Sequence, residues 1–366
     1  MRRFSSFRDF DWMLLSLVSL MSIISVLEIK SATLHTRFHD FDHKQIAFLL
    51  VGLLLMFLIA QIDYHRLVDI APWAYGIGVL SLVAVKLVGT KVMGGKRWIN
   101  LGGGVHFQPS EWVKLILVLA MAWLFWGLAG RQLRWIDIAK AIGIIGVPMV
   151  LVLKQPDLGT ALTYLPILAM GLFLGGIRTK QTVVLLLLVA LVGGGAWLSG
   201  KRPKGYQMAR INSYINPDTD PRGTGYQILQ SKIAVGAGGL WGRGTNQGTQ
   251  TQGDFLPIPY TDFIFAAFCE EHGFVGGMGI LLLYFLILMR LIENAQQASD
   301  APGTFIVMGV AAVLLFQIVV NVGMVVGLMP VTGIPLPLMS YGGSSILFTF
   351  LALGIVMNIR MRRFVN

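Results

Sequence analysis

The chain has one cysteine, Cys269. That excludes an intramolecular disulfide and a cysteine-based metal cluster, and a small thiol within an apolar stretch reads as a buried packing group. Charge is scarce too: 13% of residues are Asp, Glu, Lys or Arg, against roughly 25% in soluble domains. With 55% hydrophobic residues and a mean hydropathy of +0.70, a water-soluble domain of this length has no means of solvating its surface. A Walker A loop, an HExxH helix, a CxxC pair and a glycine-rich dinucleotide fingerprint are all missing. No internal repeat and no low-complexity tail is visible.

What is present is a succession of apolar runs long enough to span a bilayer, each needing about 20 residues. Bounded by charges and Gly/Pro clusters, they number ten: 12–30, 44–62, 69–88, 111–129, 138–153, 158–176, 182–199, 262–290, 304–328 and 342–360. The expected fold is an all-α integral membrane protein with ten transmembrane helices in a single domain. A long outer loop, residues 200–261, separates helices seven and eight. The first run is longer than a signal peptide's apolar core and is followed by further spans, so it reads as an uncleaved helix. Basic residues at both ends, Arg2, Arg3 and Arg8 against Arg360, Arg362 and Arg363, place both termini in the cytoplasm. The net charge of +11 points to anionic headgroups or a phosphate-bearing lipid rather than nucleic acid. A loop as long as 200–261 is expected to be functional; Gly225–Gln230 has the look of an interfacial helix, and Trp241-Gly242-Arg243-Gly244 of a turn whose glycines permit close approach.

The polar motifs fall on one side. Gln108-Pro109-Ser110-Glu111 opens the fourth span, Lys154-Gln155-Pro156-Asp157 precedes the sixth, Thr261-Asp262 opens the eighth, and Ser340-Tyr341-Gly342-Gly343-Ser344 opens the tenth. In this topology every even-numbered helix starts outside, where free N–H groups and the positive end of the helix dipole suit a phosphate. Taken singly, Ser110, Asp157 and Asp262 are as readily plain helix caps; four such motifs on one face favour a shared site. Glu111 and Lys114 are spaced to pair on one helix and are expected to face a polar cavity, or to serve only as an orienting ion pair. Asp262, between Leu256-Pro257 and Phe263-Ile264-Phe265, is the expected general base, because apolar surroundings raise a carboxylate toward neutrality. Of the outer basic residues, Lys154 and Arg210 are the favoured pyrophosphate ligands over Lys96, Arg97, Lys232 and Arg243. Glu270 and Glu271, two turns further into the eighth helix, read as structural or as supports of the residues that touch substrate.

At these motifs the chain resembles the SEDS family of shape, elongation, division and sporulation proteins, nearly end to end. The resemblance is carried by Arg97-Trp98, Phe107–Glu111, Gln155–Thr160, Asn216-Pro217-Asp218, Gly225-Tyr226-Gln227 and Gln230–Ala234. Thr261–Phe265 with Glu270-Glu271, and Pro335-Leu336-Pro337 before Ser340–Ser344, complete it. It implies a peptidoglycan glycosyltransferase at the outer face of the cytoplasmic membrane, polymerising lipid II with a class B penicillin-binding protein transpeptidase and other elongation-complex membrane proteins as partners. In that reading Asp262 deprotonates the acceptor 4-hydroxyl and undecaprenyl pyrophosphate leaves. Glu111, Lys114 and Asp157 match positions the family uses in its central cavity; Lys154, Arg210, Lys232, Ser340 and Ser344 are the further candidates for lining the substrate cavity. The elongation branch is the better match than the division branch. Where the family usually reads Leu-Pro-Glu-x-His before Thr-Asp, this chain reads Leu256-Pro257-Ile258-Pro259-Tyr260, which removes two neighbouring proton carriers. A divalent cation, Mg2+ or Mn2+, would help the leaving group depart, but the sequence offers no dedicated metal cage. Two other readings are a lipid II flippase, which predicts functional charges near the midplane, and a scaffold for a penicillin-binding protein, which predicts tolerance to loss of Asp262.

Overall fold

The computed structural model describes residues 9–364 apart from 35, 37, 93–94, 101, 103–105, 129–130, 199–205, 217–219 and 221–222. The N-terminal arginines and the Pro217-Asp218 motif therefore lie outside the described residues. The chain is mostly helical: α1 Trp12–Thr33, α2 Phe41–Gln61, α3 Tyr64–Asp69, α4 Ala71–Val88, α5 Pro109–Trp126, α6 Trp135–Leu153, α7 Leu158–Leu162, α8 Leu165–Leu174, α9 Thr179–Leu198, α10 Tyr206–Ile215, α11 Thr224–Gly238, α12 Thr249–Gln252, α13 Ile264–Gln296, α14 Ala301–Val325 and α15 Gly343–Met361. Among the described residues eight helices (α1, α2, α4, α5, α6, α13, α14 and α15) are long and apolar enough to cross a membrane, and Leu158–Leu174 and Thr179–Leu191 are shorter apolar stretches. The protein is a multi-pass membrane protein.

Two local departures from the sequence reading have simple causes. The run 158–176 is two helices, because Pro166 in the first turn of α8 has no N–H to continue the helix from Leu162. The connection before α5, read as loop, folds into a small antiparallel sheet: β1 Thr90–Val92, β2 Gly95–Asn100 and β3 His106–Phe107, in the order β1-β2-β3. Its pairing carries Arg97 on β2 over the turn at Gln155 and Pro156.

Helices α5, α14 and α15 form the buried centre, while Leu50, Leu54 and Leu58 of α2, and Leu186 to Leu191 of α9, turn outward as an apolar belt. A lipid-facing exterior inverts the soluble rule, so association rests on close packing. Gly354 of α15 shows it: a Cβ there would stand 2.7 Å from the Met56 carbonyl oxygen of α2. At one end of the bundle Asp11, which caps α1 through Leu14 N, also accepts from Arg290 Nε (2.9 Å) and Asn294 Nδ2 (2.8 Å) of α13. Arg360 of α15 reaches the same carboxylate at 3.7 Å. The start of α1 and the end of α15 thus share one end of the bundle.

Helix α13 is broken at Gly273 (φ +68°, ψ −166°), and the segment after α11 is stitched into the break. Arg243 N and Gly244 N donate to the carbonyls of Glu270 (3.0 Å) and Glu271 (2.9 Å), while Phe274 N and Val275 N donate to Gly239 (2.8 Å) and Leu240 (3.1 Å). Irregular backbone within a membrane bundle persists only where protein satisfies its polar groups, and these four bonds do so. Gly242 (φ +84°) sits against the break, where a Cβ would meet the Glu271 carbonyl oxygen at 2.1 Å. Gly242→Ala is therefore expected to cost about 2–4 kcal/mol, combining the left-handed penalty with overpacking. Gly236→Ala, on α11 with nothing within 4 Å of its Cβ position, should gain roughly 0.5–1 kcal/mol from helix propensity. Thermal unfolding of the two variants in detergent checks the contrast.

Candidate active site

The four polar motifs converge at the end of the bundle opposite Asp11. Gln108, just before α5, donates from its backbone N–H to Ser344 Oγ of α15 (3.1 Å) and from Nε2 to Asp157 Oδ2 (3.0 Å). Asp157 caps α7 by accepting from Thr160 N (3.1 Å) and Thr160 Oγ1 (3.0 Å). Ser340 accepts from Leu336 N (2.8 Å) and donates to the Thr261 carbonyl (2.6 Å), which fixes the turn before α13. Tyr341 N adds a bond to the Tyr260 carbonyl (2.9 Å). Each turn so joined contains a residue at positive φ, Ile258 at +49° and Leu338 at +64°. Such geometry in branched or bulky side chains is strained and persists where surrounding contacts over-determine it.

Asp262 lies at the centre of this scaffold, two residues before α13 and half-buried. Its carbonyl accepts from Asn321 Nδ2 of α14 (2.9 Å), which also donates to the Ile334 carbonyl (2.8 Å). One buried amide thus joins the Asp262 turn to the segment ahead of Pro335. Gly333 faces the carboxylate, since a Cβ there would stand 3.5 Å from Oδ2. Arg210 of α10 donates to the Thr332 carbonyl at 2.9 Å. Arg97 donates from Nε to the Gln155 carbonyl (3.2 Å) and from Nη2 to the Pro156 carbonyl, with Nη1 3.8 Å from Asp157 Oδ1. Burial pushes the Asp262 carboxyl up to about 6; Arg210 and Arg97 oppose the rise and the Asp157 carboxylate adds to it. The Thr332 hydroxyl and the Asn321 amide oxygen are buried without a hydrogen-bond partner among the described residues.

The expected site residues divide into groups. Asp157, Arg210, Ser340 and Ser344 stand in the network around Asp262. Ser340 and Ser344 are buried and hold backbone there. Glu111 and Lys114 pair at 2.8 Å one turn deeper on α5, with Lys114 fully buried and its ammonium 4.4 Å from the centre of the Phe348 ring. They are enclosed by protein rather than turned to an open cavity. Lys154 is exposed where α6 ends, and Lys232 is exposed on α11 with its stem lying over Gly327. Arg97, which sequence reasoning ranked below Lys154, is the basic side chain beside Asp157; its signal was the Arg97-Trp98 motif. Asn321 was missed, although an amide inside so apolar a helix is a signal in its own right.

The donor set speaks to the suggested Mg2+ or Mn2+. Such ions are held by one or two carboxylates together with substrate phosphates. Here both Asp157 oxygens are engaged by Thr160 and Gln108, and among the described residues these carboxylates form no group of three metal-ligating side chains. With Asp157 so occupied, the described residues build no resident cation cage at this point.

A network of polar helix starts around a half-buried carboxylate, at one end of a helical bundle with an apolar exterior, defines a multi-pass membrane protein with its candidate site at that end. The chain belongs to the FtsW/RodA/SpoVE family of cell cycle proteins, whose model matches residues 8–364. It is 39% identical over 321 residues to the peptidoglycan glycosyltransferase MrdB of Escherichia coli K12, covering 87% of this chain and 85% of the relative. It is 34% identical to the peptidoglycan glycosyltransferase RodA of Treponema pallidum, covering 97% and 98%. A chain in a solved peptidoglycan synthase complex, described as coordinating polymerization and crosslinking, matches with a TM-score of 0.83 at 35% identity, covering 98% and 99%.

Proposed function

We propose that the protein is a peptidoglycan glycosyltransferase that polymerises lipid II, acting in cell elongation and crossing the cytoplasmic membrane ten times with both termini inside. The observation that carries the reading is a half-buried carboxylate, raised to about 6, beside two arginines where four helical segments begin. A general base needs a proton affinity near the working pH, and a departing pyrophosphate needs fixed positive charge, for which a guanidinium fork is well shaped. Asp262 removes the proton from the acceptor sugar's 4-hydroxyl. The freed oxygen attacks the donor's anomeric carbon, and the bond to the pyrophosphate breaks. Undecaprenyl pyrophosphate leaves with the electron pair, its charge met by Arg97 and Arg210, and its lipid stays in the bilayer. The likeness to a chain of a polymerising and crosslinking complex supports a class B penicillin-binding protein as partner.

Glycan-strand formation from labelled lipid II by the purified chain with its partner tests the reading. Polymer formation supports it; transfer of lipid II across vesicles without polymer makes the chain a flippase instead. The pH profile is a sharper check. The active form of Asp262 is deprotonated, so kcat/KM should be level above pH ~6 and fall about tenfold per unit well below it. Because Arg210 lowers the carboxyl's proton affinity, Arg210→Gln should move that acidic limb to higher pH. A limb that stays put separates Arg210 from Asp262.

A further inference from the structure

About two turns beyond Asp262 a second cluster of ionisable groups is left unused by this chemistry. Glu28 of α1, and Glu271 and His272 of α13, bring one ligating atom each within 4.8 Å of one another. Glu28 is 2% exposed and Glu271 1%. Their neighbour Glu270 shows what a satisfied carboxylate looks like here: it accepts from Gln250 N (2.7 Å), Thr251 N (3.0 Å) and Thr251 Oγ1 (2.8 Å). Glu271 is only half provided for. Its Oε1 accepts from Ser31 Oγ and from Asn246 N (3.1 Å), and the Gln252 side chain lies against the carboxyl, but among the described residues neither its Oε2 nor Glu28 Oε1 has a hydrogen-bond partner at normal distance. Among the described residues none of these carboxylates pairs with a lysine or arginine; Glu28 Oε2 instead faces His272 Nδ1 at 3.9 Å. Buried carboxylates with free lone pairs and no cation are costly.

We infer that Glu28, Glu271 and His272 bind one divalent first-row transition ion, separate from the glycosyl-transfer site. An imidazole with two carboxylates favours Zn2+ or a similar ion over Mg2+ and Ca2+, which take oxygen alone. Ligands about 2.1 Å from an ion at tetrahedral angles stand roughly 3.4 Å apart, so the side chains close by about an ångström on binding. The half-exposed His272 ring provides the way in. Its Nδ1 now lies 3.3 Å from the Phe268 carbonyl, a contact that ligation through that nitrogen replaces. The ion joins α1 to α13 at the Gly273 break, where the segment 239–244 is inserted. It is therefore a structural clamp under the outer loop.

The test uses the tag-free full chain in detergent, stripped with chelator and titrated with Zn2+ and, as a spectroscopic probe, Co2+. The native chain should take up one Zn2+, show Co2+ absorption bands in the visible, and unfold at a higher temperature when Zn2+ is present. Glu28→Gln and His272→Gln should each weaken binding at least tenfold and remove the thermal shift. Should Glu28→Gln fail to stay monodisperse, His272→Gln, altered at a half-exposed ring, carries the comparison. A folded native chain that takes up no Zn2+ overturns the assignment, as does uptake unchanged in His272→Gln. Neither result bears on Asp262.

Discussion

Asp262→Asn is expected to lower glycan polymerisation by about 10²–10⁴-fold, the usual contribution of a positioned base, while making the folded protein more stable. The two effects share one cause. Burial raises the carboxyl to about 6 in the fold, against roughly 3.9 in an unfolded chain. A group whose folded pKa is raised gives its full stabilisation only at pH below the unfolded value, and that is lost as pH rises through about 6. At pH 7.5 the ionised form therefore weighs against the fold. A shift of some two units corresponds to about 3 kcal/mol, which partial exposure reduces to about 1–2 kcal/mol. The asparagine removes that cost. Lipid II turnover and thermal unfolding of the same preparation give the answer together: activity lost with stability gained identifies a strained functional carboxylate. Retained polymerisation shows that Asp262 is not the base, and a less stable but active variant assigns it to scaffolding.

Much of this site was legible in the sequence because its parts sit at boundaries. Where an apolar run meets Gln108-Pro109, Gln155-Pro156-Asp157, Thr261-Asp262 or Gly342-Gly343, hydropathy alone locates a helix start, and a polar group there is conspicuous. The structure adds the bonds that gather those starts: Gln108 to Ser344 and Asp157, and Ser340 to Thr261. Pairings between residues 49 to 236 positions apart have no local signature. The same limit hid the antiparallel sheet, which is fixed by pairing across a turn, and the break at Gly273, whose hydrogen bonds come from a distant segment. The placement of Arg97 beside Asp157 is hidden for a related reason. Its reach to Asp157 depends on a strand that composition does not announce. Lys154 lay closer in sequence to Asp157, but it ends on the exposed side of its turn.

The second large effect is expected at Lys114. Lys114→Met leaves the Glu111 carboxylate buried at 4% exposure without its partner, and breaking a buried pair in this way costs about 3–5 kcal/mol. The Phe348 ring adds to the loss, since a desolvated ammonium over an aromatic face is worth about 2 kcal/mol. The double variant Glu111→Leu with Lys114→Met removes both charges, and replacing a buried pair by apolar groups is often neutral or stabilising. Thermal unfolding in detergent should therefore show the single variant well below the native chain and the double variant close to it. Polymerisation then decides what the pair is for. The pair lies one turn below Gln108, whose side chain holds Asp157, and Glu111 and Asp157 both lie within electrostatic reach of the Tyr164 hydroxyl. If the pair tunes that network, the double variant folds normally and polymerises at least tenfold more slowly. If it only orients α5 against α15, stability and activity recover together, and the charges belong to the packing of the bundle.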